Sequence, residues 1–202
     1  MKRAMVFLVL LVASCATVTN YPLDLSYAPQ AARTGDGKGS IAVAPLIDKR
    51  AVQDRRIIGK RESDAPFIAL IDEPSAALAK GFAQHLESRG YAVTRLTGGW
   101  DGSAAAIDPA WGDLVVGGSI EEFNVVSRGD LVKNEYTCTI RLTLIFADPR
   151  SKEIRHKERT EVSTSYTTVG FSREKAEELI NKALSEAVER ALAEAPRYIA
   201  KP

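Results

Sequence analysis

The chain has 202 residues, of which 27 are lysine or arginine and 26 aspartate or glutamate, for a formal net charge of +1. A charge this near zero excludes binding to nucleic acid or anionic lipid that is driven by a global positive field, and the length suits one compact domain rather than two. Cys15 and Cys138 are the two cysteines, so this is not the composition of a disulfide-stapled scaffold.

Taken from the start, Lys2 and Arg3 precede an apolar run from Ala4 to Ala13. Roughly ten apolar residues match the h-region of a signal peptide and fall well short of the ~20 needed to span a bilayer. The run closes on Leu11-Val12-Ala13-Ser14-Cys15, which resembles the lipobox of bacterial lipoproteins: small residues fit the processing peptidase, and the Cys15 thiol accepts the lipid. Residues 1–14 are therefore expected to be removed and Cys15 to become the acylated first residue, with the lipid bilayer as partner. Removal takes away two basic residues and no acid, which changes the net charge from +1 to −1. Each buried methylene contributes about 0.8 kcal/mol, so two or more acyl chains hold where one is marginal.

Residues 15–40, with Pro22, Pro29, Gly35, Gly37 and Gly39 and few bulky aliphatics, read as the lipidated cysteine and a flexible tether. The folded domain is expected over 41–196, with 197–202 as a tail. Ile41 to Leu46 reads as the first strand, ended near Pro45. Asp48 to Asp64 is dense in charge and reads as a loop with one short strand around Ile57-Ile58-Gly59, either solvated or able to dock a partner or glycan. A helix is expected from Asp72–Pro74 to Arg89, with Pro in the first turn, a stripe of Ala79, Phe82 and Leu86, and Gly90 as its stop. Tyr91 to Leu96 reads as a strand that completes a parallel strand–helix–strand unit. Thr97 to Gly112 is an irregular insertion carrying Trp100 and Trp111. These two are either plugs over the sheet or outward interface anchors, and both remain candidate partner contacts.

Asp113 to Ser127 reads as a long strand with a bulge at Gly117-Gly118 and a turn at Arg128-Gly129-Asp130. The next strand carries the clearest period of two: Tyr136, Cys138, Ile140, Leu142, Leu144 and Phe146 share one face, which points Cys138 into the core. Ile154 to Thr167 alternates more weakly. Thr160, Val162, Thr164 and Tyr166 face inward, while Arg155, Lys157, Arg159 and Glu161 face outward, as on an edge strand. Arg155, Lys157 and Arg159 are the other candidate partner contacts. Ser172 caps a final helix with a small apolar stripe from Ala176 through Leu192, ended by Pro196. The sum is a single α/β (α+β) domain: a mixed, mostly antiparallel sheet of about five strands with two helices on one face.

The lipobox at Cys15, the passage from Leu78-Ala79-Lys80-Gly81-Phe82 through Leu86 to Val93, the paired strands around Ile120 and Leu142 and the Ala-rich last helix together resemble the YajG-type bacterial lipoproteins, a functionally uncharacterised envelope family. The resemblance implies a periplasmic α/β sandwich. With Ala16 rather than Asp after the lipidated cysteine, it also implies sorting to the periplasmic face of the outer membrane. It supplies no catalytic residues. The long segment before the first helix and the tryptophan insertion depart from the pattern.

No constellation in the sequence carries chemistry. Gly35 to Ser40 lacks the GxxxxGK[ST] spacing of a phosphate loop and precedes a strand. His85 and His156 have no second ligand at metal spacing, and no G-x-S-x-G elbow is present. The expectation is a non-enzymatic binding or scaffolding module with no cofactor, metal or nucleic-acid partner. The alternative is an accessory subunit of an envelope transport or cell-wall synthesis complex with a protein partner, followed by a periplasmic hydrolase.

Overall fold

A computed structural model describes residues 20–29, 37–61, 65–69, 72–129 and 133–199. The signal segment and Cys15 lie outside the described residues, as does Asp130 of the expected turn. In chain order the strands are β1 (Tyr21–Leu23), β2 (Ser40–Val43), β3 (Ile47–Asp48), β4 (Ile57–Lys60) and β5 (Pro66–Ala69); then come helix α1 (Pro74–Ser88) and β6 (Ala92–Arg95). Three long strands follow, β7 (Leu114–Gly129), β8 (Asn134–Asp148) and β9 (Glu153–Thr168), then helix α2 (Arg173–Ala191).

All nine strands join one mixed sheet, larger than the five expected. β7, β8 and β9 form an antiparallel ribbon, with β9 on the outer side. The other side of β7 is met by three short parallel strands in succession: β2 at Leu114–Val116, β3 at Ser119–Ile120 and β4 at Val125–Val126. The sheet then branches, through β2 to a parallel β6 at one end and through β4 and β5 to a parallel β1 at the other. "Mostly antiparallel" therefore describes the long ribbon, while five shorter pairings are parallel. Residues 21–23, expected in the tether, are instead a strand, and Leu23 and Leu25 are buried in the core. Two large aliphatics within three residues bury enough apolar surface to offset the ordering of a short segment.

Both helices pack on one face of the sheet and against each other, over a core that runs from Leu23 through Phe82 and Ile140 to Leu192. In α1 the buried positions are Pro74, Ala77, Leu78, Gly81, Phe82, Ala83, His85 and Leu86, so Phe82 and Leu86 of the expected stripe face the core while Ala79 is half-buried at its margin. Gly81 permits the close crossing of the helices: a Cβ there would sit 3.1 Å from Val188 Cγ2 and 3.2 Å from Tyr27 Cβ. Gly90, at φ +90°, turns the chain out of α1 as expected. In α2 the whole predicted stripe is buried, and Ser172 Oγ accepts from Lys175 N at 3.2 Å as the N-cap. The helix stops at Ala191, short of Pro196, which opens a 3-10 turn over Ala195–Tyr198.

The first seven residues of β7, Leu114 to Ile120, are all buried, because helices cover one face there and the tryptophan insertion covers the other. A strand covered on both sides has no polar alternation to show. The register shift falls at Ile120/Glu122 rather than at Gly117-Gly118. Those glycines serve other ends. Gly117 leaves room for Trp100, since a Cβ would lie 2.9 Å from the indole Cε3, and Gly118 adopts φ +136° against the backbone of Thr143. β7 runs on to Gly129, so Arg128 and Gly129 belong to the strand rather than to a turn.

Candidate functional site

The tryptophan insertion folds back over the sheet face that the helices leave uncovered. Trp100 is only 2% exposed; its Nε1–H donates to Ser103 O at 3.0 Å. Its ring belongs to a second, smaller core with Ala42, Ala44, Ile107, Val115 and Ala147. Small residues on β2 and β7 are what let an indole lie this close to the backbone. Trp111 ends a 3-10 turn over Pro109–Trp111 capped by Asp108, whose Oδ1 accepts from Ala110 N at 2.9 Å. The two rings meet edge-on, 6.5 Å apart at 75°. Of the two alternatives, Trp100 is a plug; Trp111 is half-buried and borders a cleft of about 480 Å³ with Leu96, Thr97, Gly98, Gly99 and Asp101.

The same face continues across the ribbon as a flat polar surface. Thr137 faces Ser165 at 3.0 Å between hydroxyls, and Arg141 spans three strands, pairing with Glu122 and Glu161 at 2.8 Å each. Lys157 and Arg159 are exposed opposite Ile145 and Thr143 on this side. Ile145 also touches the insertion at Gly102, so the structure brings two of the predicted β9 contacts onto the tryptophan face. Arg155 differs: it sits at the β8–β9 register shift and donates to Asp148 Oδ2 at 2.6 Å, which holds that carboxyl below its ordinary value. The free edge of β9 is also guarded, since Arg190 Nη1 donates to Glu161 O at 2.8 Å.

The charged segment after β3 is organised around one buried arginine. Arg50 is 8% exposed, and its guanidinium donates to both carboxylate oxygens of Asp48 and to the carbonyls of Arg55, Ile57 and Phe123. It occupies the gap on the edge of β7 between the pairings of β3 and β4, where it takes a carbonyl that no strand reaches. Burial disfavours the charged form of Asp48, but the Arg50 hydrogen bonds, with the charges of Arg50 and Arg55, outweigh it and hold the carboxyl below its ordinary value. A groove of about 520 Å³ runs beside this latch along Glu122, Asn124 and Val126. Sequence reasoning missed the latch. Its one signal was the Asp48-x-Arg50 spacing, which lets a carboxylate and a guanidinium two residues apart meet in a tight turn.

His85 is buried on α1, with Nδ1 3.0 Å from Tyr27 Oη, and His156 stacks on Tyr198 at 4.7 Å. Cys138 is fully buried, which pushes its thiol up to about 12. Among the described residues no group of three or more His, Cys, Asp or Glu could hold a metal ion, and no helix is long and apolar enough to cross a membrane.

No family model matches the chain, and no curated protein matches it. Solved structures do resemble it. A Xanthomonas campestris protein assigned to the family DUF330 superposes with a TM-score of 0.61 at 13% identity, covering 89% of this chain and 95% of that one. A hypothetical protein from Chlamydia trachomatis gives 0.48 at 15% identity over 80% and 98% of the two chains, and a minor lipoprotein from Acinetobacter baumannii gives 0.44 at 12% over 78% and 92%. Only the first is close enough to speak for the arrangement of elements, and at 13% identity it speaks for the fold alone.

Proposed function

We propose that this chain is a bacterial envelope lipoprotein, allied to the YajG type, held by acyl chains on Cys15 at the periplasmic face of the outer membrane, and that its folded part is a non-enzymatic binding or scaffolding module. The observation that carries this is the run of roughly ten apolar residues ending in Leu11-Val12-Ala13-Ser14-Cys15. Its length is wrong for a span and right for a processed signal, and its end places a nucleophilic thiol where lipid is attached. The module's contact surface is the face away from the helices, where half-buried Trp111 borders a cleft and Lys157 and Arg159 stand exposed on β9. Trp111 and its Gly98-Gly99 wall also favour the second reading, an accessory subunit of an envelope transport or wall-synthesis complex, because a half-buried tryptophan beside a cleft suits a protein hot spot.

Cys15→Ser tests the anchor. The variant should keep its signal segment or appear in the soluble fraction, whereas a Cys15→Ser protein that is processed and membrane-bound like the parent contradicts the reading. Gentle solubilisation and pull-down with Trp111→Ala separates a module that works alone from a subunit, which would lose a stoichiometric partner.

A further inference from the structure

We propose that the end of the sheet carrying Tyr21, Lys60 and Val169 rests against the headgroups of the bilayer, so that the Trp111 cleft faces away from it. The proposal rests on the reading that Cys15 is acylated. Its ground is the length of chain between that cysteine and the first strand. β1 begins at Tyr21 and is built into the sheet by its parallel pairing with β5. Six residue steps separate Cys15 from Tyr21, and at no more than about 3.6 Å per step they reach at most about 20 Å. The domain hangs on a short leash, not a long tether, and the leash is rooted at one end of the molecule.

Ring and hydrogen-bond contacts fix which end that is. Tyr21 stacks edge-on with Phe171 at 4.3 Å, and Arg61, next to Lys60, donates to Tyr21 Oη at 2.6 Å and lies over the Phe171 ring at 4.7 Å. Phe171 follows the last residues of β9, and Val169, two positions earlier, is 81% exposed, the more exposed of the two large hydrophobics that stand out in solvent among the described residues. The registers of Gly129 with Asn134 and of Asn134 with Thr168 bring Arg128 and Lys133 to the same end. Trp100 instead lies over Gly117, nine residues back along β7 from the Val126 that pairs with Lys60, which is about 30 Å at the rise of a strand. A leash of about 20 Å therefore roots the first end at the membrane and holds the cleft beyond its reach. Charge is not the driver. Glu135 stands beside these bases, and the sequence next to them carries Glu62, Asp64 and Asp130. The leash and the apolar Val169 set the orientation.

Depth-dependent quenching tests this. Full-length acylated protein carrying Val169→Cys or Ala105→Cys, both at exposed positions, is labelled with a small thiol-reactive fluorophore and reconstituted into phosphatidylethanolamine–phosphatidylglycerol vesicles containing headgroup-nitroxide lipid. Cys138 stays unlabelled because it is buried. The label at residue 169 should be quenched severalfold and the label at 105 left bright, in low and in high salt alike. Equal quenching at the two sites, or stronger quenching at 105, overturns the orientation. An intact mass on the same samples tells the two claims apart. Fatty mass on Cys15 with equal quenching sinks the orientation alone, and no fatty mass sinks the anchor together with it.

Discussion

Trp100 and Trp111 sit eleven positions apart in one insertion and do different work. Trp100 is the centre of the small core over Gly117, so Trp100→Ala should cost about 3–5 kcal/mol in chemical denaturation. Trp111 is half-buried at the cleft rim, and Trp111→Ala should cost clearly less while removing whatever affinity the cleft has. Equal losses of stability would contradict the division. Asp48 makes a prediction with a sign. Its carboxyl titrates below the ordinary 3.8 in the folded chain, so its contribution is complete above that value and is lost as pH falls through the lower folded one. Asp48→Asn strands the buried Arg50 charge, a loss on the order of 3–5 kcal/mol at neutral pH. Between about pH 7 and about pH 3 the parent should lose more stability than the variant does. A parent curve no steeper than that of Asp48→Asn would refute the latch.

At the scale of elements, the crossing of α1 and α2 depends on the missing side chain at Gly81. Gly81→Leu should cost about 1–3 kcal/mol through overpacking, despite leucine's better helix propensity, as read from a thermal or urea midpoint. An unchanged midpoint would mean the helices part without cost. The two helices, β8 and β9 were legible in the sequence because each is long enough to show its period: the stripe from Ala176 to Leu192 and the alternation from Tyr136 to Phe146 fall where the residues said. Of the short strands, β2, β4 and β6 were expected where they lie, and three others were not. Tyr21–Leu23, Ile47–Asp48 and Pro66–Ala69 span two to four residues, too few for a period, and they are stabilised by pairing with distant partners rather than by local pattern. Within the candidate site, the exposed face of β9 could be read from alternation. The burial of Trp100 and the reach of Arg50 to Phe123 O could not, because both depend on which residues β7 brings near.

The described residues form a branched nine-stranded sheet with one face sealed by two helices and the other partly open. Trp111 on the insertion and Lys157 and Arg159 on β9 come from segments more than forty residues apart and lie on that same open side, which is where a binding module would present its contacts. Nothing in the sheet demands a membrane; the claim that the protein lives on one comes from its first fifteen residues. The measurement that tests it most directly is the intact mass of the protein purified from membranes in mild detergent. The account predicts a polypeptide beginning at Cys15 with fatty acyl mass on that residue. A chain with a free amino end, an unmodified thiol and no fatty mass would contradict it.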